Sequence, residues 1–448
     1  MEQTVVTYAT VYYTRKFLSK PKNYSKVLKF NHINNNIYKI KIINKNSDSM
    51  KYIIVIADGM ADEPIDEIDG KTPVMVANTP NMDYIAKNGY TGYAKNVPDG
   101  KTPGSDVANT SIMGFDPSML KGRGPLEAPS VGVSLNDGDV AFRLNFVNVK
   151  DGKLNDFTAE HISTEEAEEL IKALNDEFGD IGTFYPGVSY RNLFVIDDLE
   201  MEELKNTPPH DVVGQAVEDH MLKGNPEKAD KINQLMYDST KILENHPVNQ
   251  KRVEEGKLPA NMIWLWGQGA KPTIGNFPET YNLKGATITG VDLLKGISTY
   301  IDLDVIEVPG ATAYFDTNYQ NKVDYALESL KEHDVQFIHI EAPDEAGHEG
   351  NLPEKIRAIE NIDSIILEKL LKELPNIDEE YTIAVLPDHP TPVNIKTHTM
   401  TPVPFAFYST NITEPDATQA YTEDMDNGKY GTIIGHTLLS EMIKVSKE

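Results

Sequence analysis

The chain has no cysteine. That excludes disulfides, thiolate nucleophiles and cysteine-based zinc sites. It has no long apolar run either. Stretches such as Tyr52 to Ala57 fall far below the roughly 18 residues that span a bilayer, so no membrane partner is expected. No apolar segment near the N-terminus resembles a secretion signal, and the expected compartment is the cytoplasm. Positive charge is scarce: Lys and Arg number 42 against 69 Asp and Glu, a net charge of -27. A phosphate backbone needs a basic face, so general nucleic-acid binding is excluded. Length is in good supply. The 448 residues suffice for two or three domains with substantial cores, and leave a homo-oligomer open.

Residues 1–50 depart from the acidic whole. They hold nine Lys/Arg against Glu2 and Asp48, are rich in Asn, Lys and Tyr, and show no clean helix or strand period. Two readings compete: a functional basic arm, or a disordered appendage outside the fold. Met50 stands directly before the first convincing strand, which favours the appendage.

That strand is Lys51 to Ala57, a β-branched run of the kind buried in parallel sheets. Asp58-Gly59 closes it. Ligands of open α/β sheets gather at the carboxyl ends of strands, so Asp58 reads either as a ligand or as a turn residue. Asn78 to Asn81 opens a helix with Thr79 as its N-cap and Pro80 in its first position. Pro103-Gly104 then turns the chain into Ser105 and a helix from Asp106 to Met113. A helix N-terminus favours an alkoxide or a bound phosphate, although serine is also a favoured N-cap. The segment is neither a P-loop, since Lys95 stands where Gly is required, nor a G-x-S-x-G elbow, since Pro103 precedes Ser105 by two.

From Gly122-Arg123-Gly124-Pro125, a hinge-like stretch, the texture changes. Strands at Val140–Val149, Val188–Asp197 and Asn261–Trp266, with helices at Thr164–Phe178 and Pro226–Asn245, form a second α/β block. A helix at Thr287–Ile297, a strand ending at Val305–Pro309 and a helix at Tyr319–Glu332 come next. Two more buried strands, Gln336–Ala342 and Tyr381–Leu386, run out into Asp344-x-x-x-His348 and Asp388-His389. A long helix at Ile356–Glu373 separates those strands, His398 comes after the second, and a last helix spans Gly431–Val445. Carboxylates and imidazoles therefore arrive together at three strand ends. Such a donor set suits Mn, Zn or Mg. Asp344 and His348 share one face if their turn is helical. Each histidine alone is more often a turn or core residue than a ligand.

The order Asp58-Gly59, Ser105, Asp344-x-x-x-His348, Asp388-His389, His398 resembles the alkaline phosphatase superfamily. KYIIVIADGMAD, PGSDVANTSIMGFDP, GRGPLEAPSVG, WLWGQG, HIEAPDEAGHEG and LPDHPTPV resemble the archaeal-type cofactor-independent phosphoglycerate mutases, over residues 51–448. The resemblance implies an α/β fold: an alkaline-phosphatase-like core with a mostly parallel sheet flanked by helices, plus a smaller inserted α/β domain. Residues 51–122 and 285–448 would form the metal-binding domain and residues 123–284 the inserted substrate domain. It implies one metal on Asp344, His348 and His398 and a second on Asp58, Ser105, Asp388 and His389. Mn2+ is the expected ion, with Mg2+, Zn2+ or Co2+ as alternatives. Ser105 would be the catalytic nucleophile. The implied reaction is the glycolytic and gluconeogenic exchange of 3-phosphoglycerate and 2-phosphoglycerate through phosphoserine, without bisphosphoglycerate.

A phosphorylated acid calls for guanidinium groups. Arg191, then Arg143 and Arg123, are the substrate-binding candidates, with His161 behind them; each arginine reads equally well as a surface ion-pair partner. His210-Asp211 reads better as a turn than as a substrate contact. Two other functions stay in view: a metal-dependent phosphatase or small-alcohol phosphotransferase of homoserine kinase-like type, and a non-catalytic metal-binding module. The intact Ser105 argues against the last.

Overall fold

A computed structural model describes residues 26–31, 39–44 and 50–447. The chain divides into two units, Met1–Ser49 and Met50–Glu448. In the first, Lys26–Asn31 (β1) pairs antiparallel with Lys39–Asn44 (β2), Lys26 opposite Asn44. No sequence period points to this hairpin, because the doubled apolar pairs Val27-Leu28 and Ile42-Ile43 break the two-residue alternation. The disorder expected for residues 1–50 otherwise falls outside the described residues. Met50 is buried and belongs to the second unit, so the boundary falls one residue earlier than expected.

The second unit opens with Lys51–Ala57 (β3) and Tyr90–Lys95 (β4). Next come Asp139–Lys150 (β5), Lys153–Asp156 (β6), Thr183–Val188 (β7), Arg191–Asp197 (β8) and Met262–Ala270 (β9). Gly285–Ile288 (β10), Asp304–Val305 (β11), Val335–Ile340 (β12), Tyr381–Leu386 (β13), Val403–Ser409 (β14) and Thr432–Ile434 (β15) complete the strands. Eight of them form one sheet in the order β11-β10-β12-β3-β13-β14-β4-β15. It is parallel except where β14 meets β13 and β4.

β3 is central and buried on both faces. Ile53, Val55 and Ala57 join one core cluster while Tyr52, Ile54 and Ile56 join another, as the alternation of a strand between two helical layers requires. Each buried valine or isoleucine among them contributes about 1.5–3 kcal/mol relative to exposure. The register positions the site. Ala57 lies opposite Ile340, and Ile56 opposite Leu386. Strands β3, β12 and β13 therefore end abreast, and the segments leaving their carboxyl ends meet.

The second sheet is antiparallel, in the order β6-β5-β8-β7 with β9 on the other edge of β5. Its helix Thr164–Phe178 starts with a full capping box, Ser163 and Glu166. The strand expected over Val188–Asp197 is a hairpin, β7 and β8; Pro186-Gly187 disguised its first arm, and Ser189 turns at φ 57°. Gly122 (φ 68°), on the way into the five-stranded sheet, packs against Gly267–Gly269 near the end of β9. The two segments lie so close that a Cβ on Gly122 would collide with the Gln268 carbonyl, and one on Gly269 with that of Lys121.

Three helices depart from the sequence reading. Over Thr287–Ile297, the buried Thr287-Ile288 ends β10, and the helix runs from Asp292 to Tyr300. The β-branched Thr432–Ile434 forms β15, which leaves the last helix only Leu438–Val445. The helix expected at Ile356–Glu373 starts earlier, at Leu352, and continues to Ile377 through a π-helical stretch, Ile362–Leu367. Asp363 in that stretch accepts from the Met82 N–H (2.8 Å) and the Asn81 N–H (3.0 Å). It thereby caps the helix Pro80–Asn88, where Thr79 makes no side-chain cap bond. Among the described residues, no helix is long and apolar enough to cross a membrane.

Candidate active site

Asp58 comes directly after β3 and is wholly buried. Gly59 turns at φ 62°, and a Cβ there would fall on Asp344, so position 59 needs glycine for both conformation and space. Asp388 stands just past β13 and accepts three hydrogen bonds: from Gly59 N–H (3.1 Å), His389 N–H (2.8 Å) and Asn109 Nδ2 (2.8 Å). Asp344 lies in the helix Ala342–Glu349 just past β12, one turn before His348. The helix does put both on one face: His348 Nε2 is 3.2 Å from Asp344 Oδ2. His398 Nε2 lies 3.5 Å from Asp344 Oδ1 and 2.9 Å from His348 Nε2. The rings of His389 and His398 stack at 3.9 Å. His389 Nε2 in turn lies 3.4 Å from Asp388 Oδ2 and 3.7 Å from Asp58 Oδ1.

Ser105 is the first residue of the helix Ser105–Ile112, after Gly104 at the cap position. Its hydroxyl caps nothing and sits 3.3 Å from His389 Nε2. The N-cap reading of Ser105 is therefore set aside. All seven candidates, Asp58, Ser105, Asp344, His348, Asp388, His389 and His398, form one connected cluster.

The cluster is electrostatically incomplete as protein alone. Three carboxylates and three imidazoles face one another, and Asp58 Oδ1 is buried without a hydrogen-bond partner. Burial and the Asp388 charge push the Asp58 carboxyl well up. Burial raises Asp344 too, but hydrogen bonds from His348 and His398 outweigh it and hold that carboxyl well below its usual range. The same bond lifts His348 to about 9, whereas burial lowers His389. Donor atoms of Asp344, His389 and His398 lie within 4.8 Å of one another, as do those of Asp58, Asp388 and His389. Mixed oxygen and nitrogen donors at such spacing fit divalent cations, which would neutralise the crowded acids. His389 belongs to both groups and so stands between them.

Several participants escaped the sequence reading. Asn109, one turn after Ser105, ties Asp388 to the serine helix through bonds to Asp388 Oδ2 and the Ser105 carbonyl. Thr391 Oγ1 donates to Asp344 Oδ1. Lys355, fully buried, bonds Asp62 (2.8 Å) and the carbonyls of Thr391 (2.8 Å) and Ala61 (3.3 Å), joining the turn after β3 to the loop after β13. His339, inside β12, touches Asp58, and burial drives its ring down to about 3. Burial lifts the neighbouring Glu341 carboxyl to about 8. The i, i+4 spacing of Ser105 and Asn109 was a readable signal, as was a histidine inside an otherwise apolar strand. Lys355 and Thr391 left none.

A cavity of about 570 Å3 opens over the cluster. Ser105, Asp344, His348 and His398 line one side; Arg123, Arg143 and Arg191 line the other. Arg143 is anchored by Glu127 (3.0 Å) and by the Trp266 ring 4.5 Å beneath its guanidinium. Arg123 leans on Asp106 (3.6 Å), the neighbour of Ser105. Arg191 is exposed, lies 5.7 Å from the Tyr190 ring and forms no ion pair among the described residues. His161 is not among the lining residues. It ends a run of left-handed residues, Ala159, Glu160 and His161, which turns its exposed ring edge-on to Tyr190 at 5.9 Å. His210 lies in a short 3-10 turn against Trp266, in keeping with a structural role.

An open α/β sheet with an acid- and imidazole-lined cleft at its strand ends, beside a helix-terminal serine and facing arginines, defines the class: an enzyme that handles phosphorylated acids. The comparisons with known proteins narrow it. A family model described as 2,3-bisphosphoglycerate-independent phosphoglycerate mutase matches residues 86–249. A curated relative of that name from Methanosarcina acetivorans is 50% identical over 88% of this chain and 100% of its own. One from Geobacter sulfurreducens, named as probable, is 48% identical over 84% and 94%. Among solved structures, a protein from Pyrococcus horikoshii superposes with a TM-score of 0.74 at 30% identity, covering 89% of this chain and 98% of its own. A cofactor-independent phosphoglycerate mutase from Thermoplasma acidophilum gives 0.64 at 26% identity, over 89% and 100%. The chain belongs to the family of 2,3-bisphosphoglycerate-independent phosphoglycerate mutases, which are isomerases acting by intramolecular phosphoryl transfer.

Proposed function

We propose that this chain interconverts 3-phosphoglycerate and 2-phosphoglycerate in the cytoplasm by way of a phosphoserine at Ser105. The observation that carries the reading is the position of the Ser105 hydroxyl. It stands at a helix N-terminus, free of capping, 3.3 Å from His389 and in a cavity shared with three arginines. Ser105 Oγ forms a bond to phosphorus as the bond from phosphorus to the C3 oxygen breaks, and that oxygen takes up a proton. The glycerate then presents its C2 hydroxyl, which forms the new bond to phosphorus, gives up its proton and releases Ser105. Bound divalent cations, of which Mn2+ is the proposed species, supply Lewis acidity that favours the serine alkoxide and neutralises phosphoryl charge. Asp344, His348 and His398 would hold one ion, and Asp58, Asp388 and His389, with Ser105, the other.

Arg143, Arg191 and Arg123 hold the carboxylate and phosphate ends of the substrate, and the free glycerate stays in the cleft. Residues 51–122 and 285–448 carry the metals in this reading, and residues 123–284 carry the arginines. The segment Gly122 to Pro125 and the return crossing near residues 270–285 would hinge the two parts and close them against water. The test is acid quenching of enzyme mixed with 32P-labelled 3-phosphoglycerate. Label is expected on the peptide containing Ser105, and 2-phosphoglycerate rather than free phosphate in solution. Label confined to a histidine would overturn the serine route, and phosphate as the sole product would replace the mutase with a phosphatase.

A further inference from the structure

We propose that His339 is a positioning residue for Asp58, and that the Thr289 hydroxyl holds the ring in the tautomer in which it works. The proposal rests on the reading of Asp58 as a cation ligand. His339 is fully buried in β12. Its Nε2 lies 2.9 Å from Asp58 Oδ2, and its Nδ1 lies 3.3 Å from Thr289 Oγ1. As a cation ligand Asp58 is an ionised carboxylate and only accepts, so the Nε2 facing it carries the ring proton and donates to Asp58 Oδ2. Nδ1 of the neutral ring then accepts from the Thr289 hydroxyl, whose oxygen takes the Val291 N–H at 3.0 Å. The two oxygens of Asp58 are thereby given separate tasks. Oδ2 is held by His339, while Oδ1 has no hydrogen-bond partner and faces His389 Nε2 at 3.7 Å. The chain Thr289–His339–Asp58 turns the carboxylate so that one lone-pair-bearing atom points into the cluster. This is how outer partners orient metal-binding groups.

The arrangement has a rival. Asp58, His339 and Glu341 also place donor atoms within 4.8 Å of one another, with His339 Nε2 3.7 Å from Glu341 Oε2, and form a candidate cation group of their own. The tautomer decides between them. Nε2 bearing a proton has no lone pair for a cation, so His339 orients a ligand and is not one.

Mn2+ titration of the full chain, with free ion read by EPR, tests both. His339→Leu removes the donor, and His339→Gln keeps an N–H in its place. Thr289→Val removes the hydroxyl, and Thr289→Ser keeps it. The Leu and Val variants are expected to weaken one Mn2+ site by about 10–100-fold, with the Gln and Ser variants binding like wild type. Long-range 15N–1H NMR of wild type should show the His339 proton on Nε2. Wild-type affinity in both His339→Leu and Thr289→Val overturns the proposal. So does a proton on Nδ1, or a third Mn2+ that His339→Gln abolishes. If His339→Leu fails to fold, the Thr289 pair carries the test. Wild type that binds no Mn2+ overturns the metal reading and this proposal with it; two ions bound with no change in the variants overturns this proposal alone.

Discussion

The eight-stranded and five-stranded sheets face the same cleft and furnish it differently. The parallel sheet works through its strand ends. Asp58, Asp388 and the Asp344 helix converge because β3, β13 and β12 stop at the same level. The antiparallel sheet works through a face. Arg191 on β8 lies opposite Asn145 on β5, two residues from Arg143, so the two arginines form a diagonal pair on one side. The first arrangement crowds like charges that burial makes expensive, and it calls for cations. The second spaces like charges apart and holds Arg143 with Glu127 and Trp266. Backbone register thus assembles the proposed reacting centre, whereas side-chain packing assembles the proposed grip.

If that division holds, damage on the two sides should differ in kind as well as size. The largest effect is expected from Ser105→Ala. It should retain the fold and bind Mn2+, yet lose at least about 10^4-fold in kcat, the order seen when a covalent nucleophile is removed. Full turnover in that variant would end the serine mechanism. Next comes the metal set. Chelation should abolish activity and Mn2+ restore it, and Asp344→Ala should cost more than about 100-fold, read as kcat against added Mn2+. Activity that survives in metal-free protein would break the contrast at its root.

Arg191→Ala should be milder. Loss of a charged hydrogen bond of about 1.5–3 kcal/mol lowers kcat/KM by roughly 10–100-fold. Because the grip is loosened, the share of phosphate released to water should rise. An unchanged product ratio with normal substrate affinity would remove Arg191 from the site. The smallest effect on catalysis should come from Arg252, a buried cation of the five-stranded side that bonds Glu166 and the carbonyls of Ala159 and Leu258. Arg252→Met should destabilise by about 3–5 kcal/mol in denaturant melts while kcat and Mn2+ affinity stay put. A shift in Mn2+ affinity would show that the two sides are less separate than their chemistry.

Strand β3 and the ends of β12 and β13 were legible because short, mostly apolar runs with an Asp shortly beyond them leave little choice of place. The Ser105 helix was legible through Pro103-Gly104 and Gly114. Hidden features were those set by distant partners. Asp363 caps a helix 282 residues away, and Lys355 bonds Asp62 across 293; no local pattern encodes such bonds. β10 and β15 were lost where short segments with β-branched residues abut helices, since three or four residues carry no period. His161 looked eligible by residue type, but a left-handed backbone run, invisible in composition, turned it aside.

The sequence separation inside the cluster has a consequence for how the molecule comes into being. Asp58 leaves the ribosome early, but β3 finds its two neighbours only in β12 and β13, near the other end of the chain. Throughout synthesis of the intervening segment, β3 is an apolar ribbon with both edges bare, the kind of segment that invites misassociation. The five-stranded sheet, by contrast, draws only on residues 139–270 and closes while translation continues. The proposed cation ligands can meet only once His398 has emerged, so in this reading a nascent chain carries the arginines of the five-stranded sheet before it owns a reacting centre.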